Sequence, residues 1–121
     1  MAVAPRILIV DDEPQIAGFL AFTFEDAGYV VRTARSGRDA IALCSAEPFD
    51  VVLSDVMMPE VDGHQLVQWV AAHHPTIRTA LMSGYDGVRD KCSCSPRCPL
   101  IAKPFLPQKI VSFVEEVLAT S

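Results

Sequence analysis

The chain has 121 residues, half of them apolar, which is enough to bury one substantial core and sets a single domain as the expected organisation. No apolar run reaches the roughly 20 residues of a membrane span, and Met1 to Arg6 lacks the ordered regions of a signal peptide, so a cytoplasmic protein without a membrane partner is expected. The net charge of −5, with lysines and arginines scattered, offers no basic stripe for a phosphate backbone and argues against direct nucleic-acid binding.

Arg6 to Val10 reads RILIV, a short apolar run suited to a strand buried on both faces of a parallel sheet. Asp12, Glu13 and Pro14 supply the N-cap, first-turn acid and early proline of a helix, continued at helical spacing by Ile16, Leu20, Thr23, Phe24 and Ala27 and ended by Gly28. Tyr29 to Ala34 is a second strand. Ser36-Gly37 turns it into a helix whose Ala40, Ile41 and Cys44 share a face before Pro48. Val51 to Ser54 is a third strand, followed by a loop from Asp55 to Gly63. A helix through Leu66, Val67 and Val70 then ends before Pro75. Thr79 to Ser83 is a fourth strand. Gly84 to Pro99 is too broken by glycine and proline for a long helix, leaving a short one around Val88 to Lys91. Leu100 to Ala102 is a brief fifth strand, and Ile110, Phe113, Val114, Val117 and Leu118 mark the inner face of a final helix. Strands alternating with helices over short connections predict a (βα)₅ chain: a parallel sheet with right-handed crossovers and helices on both faces. No internal repeat, low-complexity tract or interdomain linker interrupts it.

In an open parallel sheet, ligands sit beyond the carboxyl ends of the strands. Asp11 and Asp12 follow the first strand, Asp55 the third and Lys103 the fifth, while Ser83 closes the fourth, so five polar groups converge on one edge. Single aspartates after strands are usually turn formers or caps. As a set, three gathered carboxylates repel one another unless a cation neutralises them, and oxygen donors suit Mg²⁺. An aspartate beside Mg²⁺ can attack phosphorus and form an aspartyl phosphate, and the Lys103 ammonium and Ser83 hydroxyl could each meet an oxygen of the transferred group.

The segments ILIVDDE, LSDVMMPEVDG, LMSGY and LIAKPF, in order and spread over nearly the whole chain, resemble the signature segments of response-regulator receiver domains. The resemblance implies a receiver domain over residues 1–121, of the flavodoxin-like α/β class: a doubly wound five-stranded parallel sheet in the order 2-1-3-4-5, whose fourth helix the broken stretch Gly84 to Pro99 is expected to leave shortened or irregular. It implies that Asp55 is the phosphoacceptor, that Asp12 and Asp55 ligate Mg²⁺, that Asp11 holds a water on the ion and that the Met57 backbone carbonyl is a further ligand. It also implies that Ser83 meets the phosphoryl group, that Lys103 is its charge partner and that Lys103-Pro104 is a cis peptide, a form largely restricted to proline. The implied partners are a sensor histidine kinase or phosphotransfer protein and a downstream protein.

Two departures bear on output. Three residues before the lysine, where the family carries a switching aromatic residue, stands Leu100; a leucine can still fill or leave an apolar pocket, and the plainer expectation is that Leu100 is core and the switch runs mainly through the Ser83 loop. The segment between Ser83 and Lys103 is rich in proline and cysteine where the family generally has a helix. Met57 could shield the acyl phosphate from water or be a plain loop residue. His64, His73 and His74 are expected to be solvated, and Trp69 to be a packing group. Cys92, Cys94 and Cys98 could ligate Zn²⁺ or an iron–sulfur cluster, or two could pair. Their C-x-C-x₃-C spacing lacks a local fourth ligand, so reduced thiols in a reshaped loop are the expectation, with Cys44 in the core. Against the signalling reading stand a small Mg²⁺-dependent phosphatase, which would need a second acid near Asp55 where the chain has Val56 and Met57, and a phosphorylation-independent interaction module. The 121 residues carry receiver segments alone, and a stand-alone regulator, a phosphorelay intermediate or a piece of a larger protein such as a hybrid kinase is expected.

Overall fold

The computed structural model describes residues 4–83, 99–103 and 105–119. Among them are five strands, β1 (Arg6–Val10), β2 (Val30–Ala34), β3 (Val51–Asp55), β4 (Arg78–Ser83) and β5 (Leu100–Ala102), and four helices, α1 (Pro14–Asp26), α2 (Gly37–Ala46), α3 (Gly63–His73) and α4 (Pro107–Ala119). All strand pairs are parallel, in the order β2-β1-β3-β4-β5. The expected short helix around Val88 to Lys91 lies outside the described residues.

Side-chain alternation on the central strands builds the two sides of the core. Ile7 and Ile9 of β1, Val51 and Leu53 of β3, and Ala80 and Met82 of β4 pack with Leu20 and Phe24 of α1 and with Ile110, Val114 and Val117 of α4. The residues between them point the other way: Leu8, Val10 and Val52 pack with Ala40 and Cys44 of α2 and Leu66 and Val70 of α3. Helices thus cover both faces, which is why RILIV is apolar throughout. The edge strand β2 is different, with Val30, Arg32 and Thr33 exposed.

Local signals set the element ends. At the end of α1, Gly28 takes a left-handed φ of +96°, its N–H donates to the Glu25 carbonyl, and that of Tyr29 donates back to the Phe24 carbonyl. The rings of Phe24 and Tyr29 meet edge to face at 5.0 Å and fasten the turn. Ser36 caps α2 by accepting the Asp39 N–H, and Asp62 caps α3 in a reciprocal pair with Gln65. The expected cap of α1 is corrected: Glu13, not Asp12, is the N-cap and makes no side-chain capping bond. Pro14 has no N–H to satisfy, and the Glu13 N–H goes instead to Asp11 Oδ1 at 2.9 Å. Asp12 is therefore left exposed and uncommitted to the helix end.

At the opposite edge of the sheet, Glu47 accepts from both Arg6 and Arg32, and the Arg6 guanidinium lies over the Phe49 ring. No helix among the described residues is long and apolar enough to cross a membrane.

Candidate functional site

The strand order reverses between β1 and β3, and the loops after those two strands open the crevice where α/β sheets hold ligands. Asp11 and Asp12 follow β1, and Asp55 ends β3. One carboxylate oxygen from each lies within 4.8 Å of the others, so the three residues brought together at the strand ends form a single acidic cluster. Asp11 is fully buried and Asp55 nearly so, whereas Asp12 faces solvent.

Lys103, just past β5, completes the cluster. Its Nζ is 3.3 Å from Asp11 Oδ2 and 3.4 Å from Asp55 Oδ1, with the side chain mostly buried. Pairing of β4 with β5 aligns Ser83 with Ala102, and the Lys103 N–H donates to the Ser83 carbonyl, so Ser83 and Lys103 are held side by side. Ser83 is buried at the end of β4.

Burial pushes the Asp55 carboxyl above its ordinary value; the Lys103 charge and hydrogen bond pull it down, and Asp11 and Asp12 push it up. Three carboxylates facing one ammonium leave a net negative site of oxygen donors. That donor set fits a hard divalent cation, with Asp11, Asp12 and Asp55 able to hold it.

The β3–α3 loop is fixed at its ends. The Val56 N–H donates to the Met82 carbonyl, and the Val56 carbonyl accepts from Gly63. Its two methionines diverge: Met58 is core, while Met57 is 71% exposed. Leu100 of β5 is partly buried against Val56, Val67 and Leu81. Cys44 is buried among core residues and burial raises its thiol pKa, as expected of a packing cysteine. Trp69 is partly buried against the α2–α3 side of the core, and the His73 ring stacks on it at 4.4 Å. Pro104 and Cys92, Cys94 and Cys98 lie outside the described residues. The bond from Asp11 to the Glu13 N–H was not legible in sequence, since Asp11 and Asp12 are equivalent as letters and only the entry of the chain into α1 separates them.

A family model described as the response regulator receiver domain matches residues 7–115. The chain belongs to this family. It is 31% identical to the response regulator receiver protein CpdR of Brucella abortus, over 93% of this chain and 96% of that protein. It is 33% identical to the nitrogen assimilation regulatory protein NtrX of Azorhizobium caulinodans over 98% of this chain, but spans only 27% of that protein. Among solved structures, the chemotaxis response regulator CheY4 of Vibrio cholerae superposes with a TM-score of 0.85 at 28% identity, covering 95% of this chain and 99% of that one. The sheet order and helical layers of this receiver domain are those of the fold.

Proposed function

We propose that this receiver domain accepts a phosphoryl group on Asp55 from a histidine kinase or phosphotransfer protein, with Mg²⁺, and thereby changes its surface for a downstream protein. The observation that carries the reading is the meeting of Asp11, Asp12 and Asp55 with the Lys103 ammonium at the strand ends.

In the transfer, an Asp55 carboxylate oxygen attacks phosphorus; the new O–P bond forms as the N–P bond of a phosphohistidine breaks, and the imidazole leaves with the electron pair. Bound Mg²⁺, held by Asp11, Asp12, Asp55 and the Met57 backbone carbonyl, would supply positive charge opposite the transferred oxygens. Lys103 neutralises a second oxygen, and its contact with Asp55 becomes a contact with the phosphoryl group. The Ser83 hydroxyl donates to a third. Drawing Lys103 and Ser83 toward the phosphate moves the ends of β4 and β5, and Leu100, packed on Val56 and Leu81, reports that movement to the surface.

Turnover on external substrates is disfavoured because the two residues after Asp55 are Val56 and Met57, neither able to protonate a leaving group. Incubation with a small phosphodonor, read by intact mass and by steady-state phosphate release, tests the reading. One added phosphoryl group with Mg²⁺, none with chelator, and slow release is the expected result. Rapid release identifies a phosphatase, and no adduct leaves a phosphorylation-independent module.

A further inference from the structure

The turn between β2 and α2 contributes no carboxylate to the acidic cluster, yet it touches both sides of it. On one side the Ala34 carbonyl, at the end of β2, accepts the Asp11 backbone N–H at 3.1 Å. On the other, Gly37 at the start of α2 is pressed against Val61 of the loop that runs from Asp55 to α3. A Cβ on Gly37 would lie 2.6 Å from both Val61 Cβ and Cγ1 and 2.8 Å from the Val61 carbonyl oxygen, inside the 3.0 Å that real Cβ atoms keep.

Neither partner has slack to absorb such a clash. Gly37 is buried and sits directly after the Ser36 cap. Glu60, next to Val61, already holds a left-handed φ of +67° without being glycine, and Asp62 on the other side is locked in its reciprocal cap with Gln65. With Val56 tied to Met82 and Gly63, a push on Val61 is passed along residues 57–61, the stretch that carries the Met57 carbonyl.

We propose that the β2–α2 turn is a positioning element of the acidic site and that Gly37, by admitting Val61 at van der Waals range, sets the distance between the loop bearing Met57 and the carboxylates of Asp11 and Asp12. The proposal rests on the reading of that cluster as a divalent-cation site. Gly37 touches no ligand and no phosphoryl group. Its influence runs through Val61, so it governs how tightly the cation is held. The Arg38–Glu60 ion pair joins the same two segments at 3.3 Å, but both side chains are largely exposed and solvent screens them.

Mg²⁺ titration calorimetry on the full chain, with thermal melting in chelator to follow folding separately, tests this. Gly37→Ala should weaken Mg²⁺ binding roughly 10-fold, the range typical of groups that orient metal ligands. Val61→Gly, which removes the contact from the other side and should fold even where Gly37→Ala does not, should weaken it several-fold. The double variant Gly37→Ala with Val61→Gly returns a methyl group to the emptied space and should recover affinity relative to either single change. Arg38→Ala should bind as the wild type does. Wild-type affinity in folded Gly37→Ala or Val61→Gly, a double variant weaker than both singles, or a loss in Arg38→Ala equal to that in Gly37→Ala would each overturn the role of Gly37 while leaving the cation site standing. A wild-type chain that takes up no Mg²⁺ would overturn the cation reading itself and this proposal with it.

Discussion

Replacing Lys103 by alanine removes the ammonium that lies 3.3 Å from Asp11 and 3.4 Å from Asp55. At an effective dielectric near 20, each contact is worth about 5 kcal/mol of gross attraction, and each pair of carboxylate oxygens up to 4.8 Å apart repels by about 3.5 kcal/mol or more. Much of the gross loss is offset because the variant no longer desolvates a lysine and water can enter beside Asp55. Breaking a buried pair from one side leaves a net destabilisation of about 3 to 5 kcal/mol. The variant site is more negative, so Mg²⁺ should bind it more tightly than the wild-type site and restore more stability to the variant at the same free concentration. At a hundred times its dissociation constant the ion returns about 2.7 kcal/mol to any state that binds it, and tighter binding returns more. Urea unfolding followed by circular dichroism, in chelator and in saturating Mg²⁺, measures both effects. The difference between Lys103→Ala and wild type should be several kcal/mol in chelator and clearly smaller in Mg²⁺. A difference below about 1 kcal/mol in chelator, or one that Mg²⁺ leaves unchanged, would refute the claim that Lys103 balances the acidic cluster.

Asp55→Asn should stabilise the metal-free chain at neutral pH. The folded carboxyl titrates above its unfolded value, so the native state binds the extra proton, and stability falls as pH rises from the ordinary carboxylate range through the raised value. The gain from Asp55→Asn should therefore shrink as pH is lowered through that window, and melting curves in chelator that show it unchanged would contradict the assignment. Leu100→Ala, at a partly buried position against Val56, Val67 and Leu81, should destabilise by about 2 kcal/mol, the low end for leucine truncation, while phosphorylation persists. Normal stability with phosphorylation abolished would place Leu100 in the chemistry instead.

How far the sequence reached depended on whether a signal was local. The apolar run Arg6–Val10 and the spacing of Ile110, Val114 and Val117 each specify an element by themselves, and the structure places both where the pattern does. Strands β2, β3 and β4 differ from expectation by one residue at an end, because terminal pairing depends on the neighbouring strand. Convergence of Asp11, Asp12, Asp55 and Lys103 was legible because parallel topology sends every strand end to one edge. The division of labour between Asp11 and Asp12 was not, since it turns on which carboxylate meets the Glu13 N–H. Ser36-Gly37 was legible as a turn, but the approach of Gly37 to Val61 joins residues far apart in sequence and leaves no local pattern.

Whether Asp55 takes the phosphoryl group is decided by mapping the modified residue. Wild-type chain and Asp55→Asn should be incubated with the same small phosphodonor and Mg²⁺, reduced with borohydride to trap any acyl phosphate, and digested for peptide mass analysis. One trapped site is expected, at residue 55 of the wild type, and none in Asp55→Asn. A Mg²⁺-dependent acyl phosphate in Asp55→Asn, or one trapped at Asp11 or Asp12 in the wild type, would contradict it.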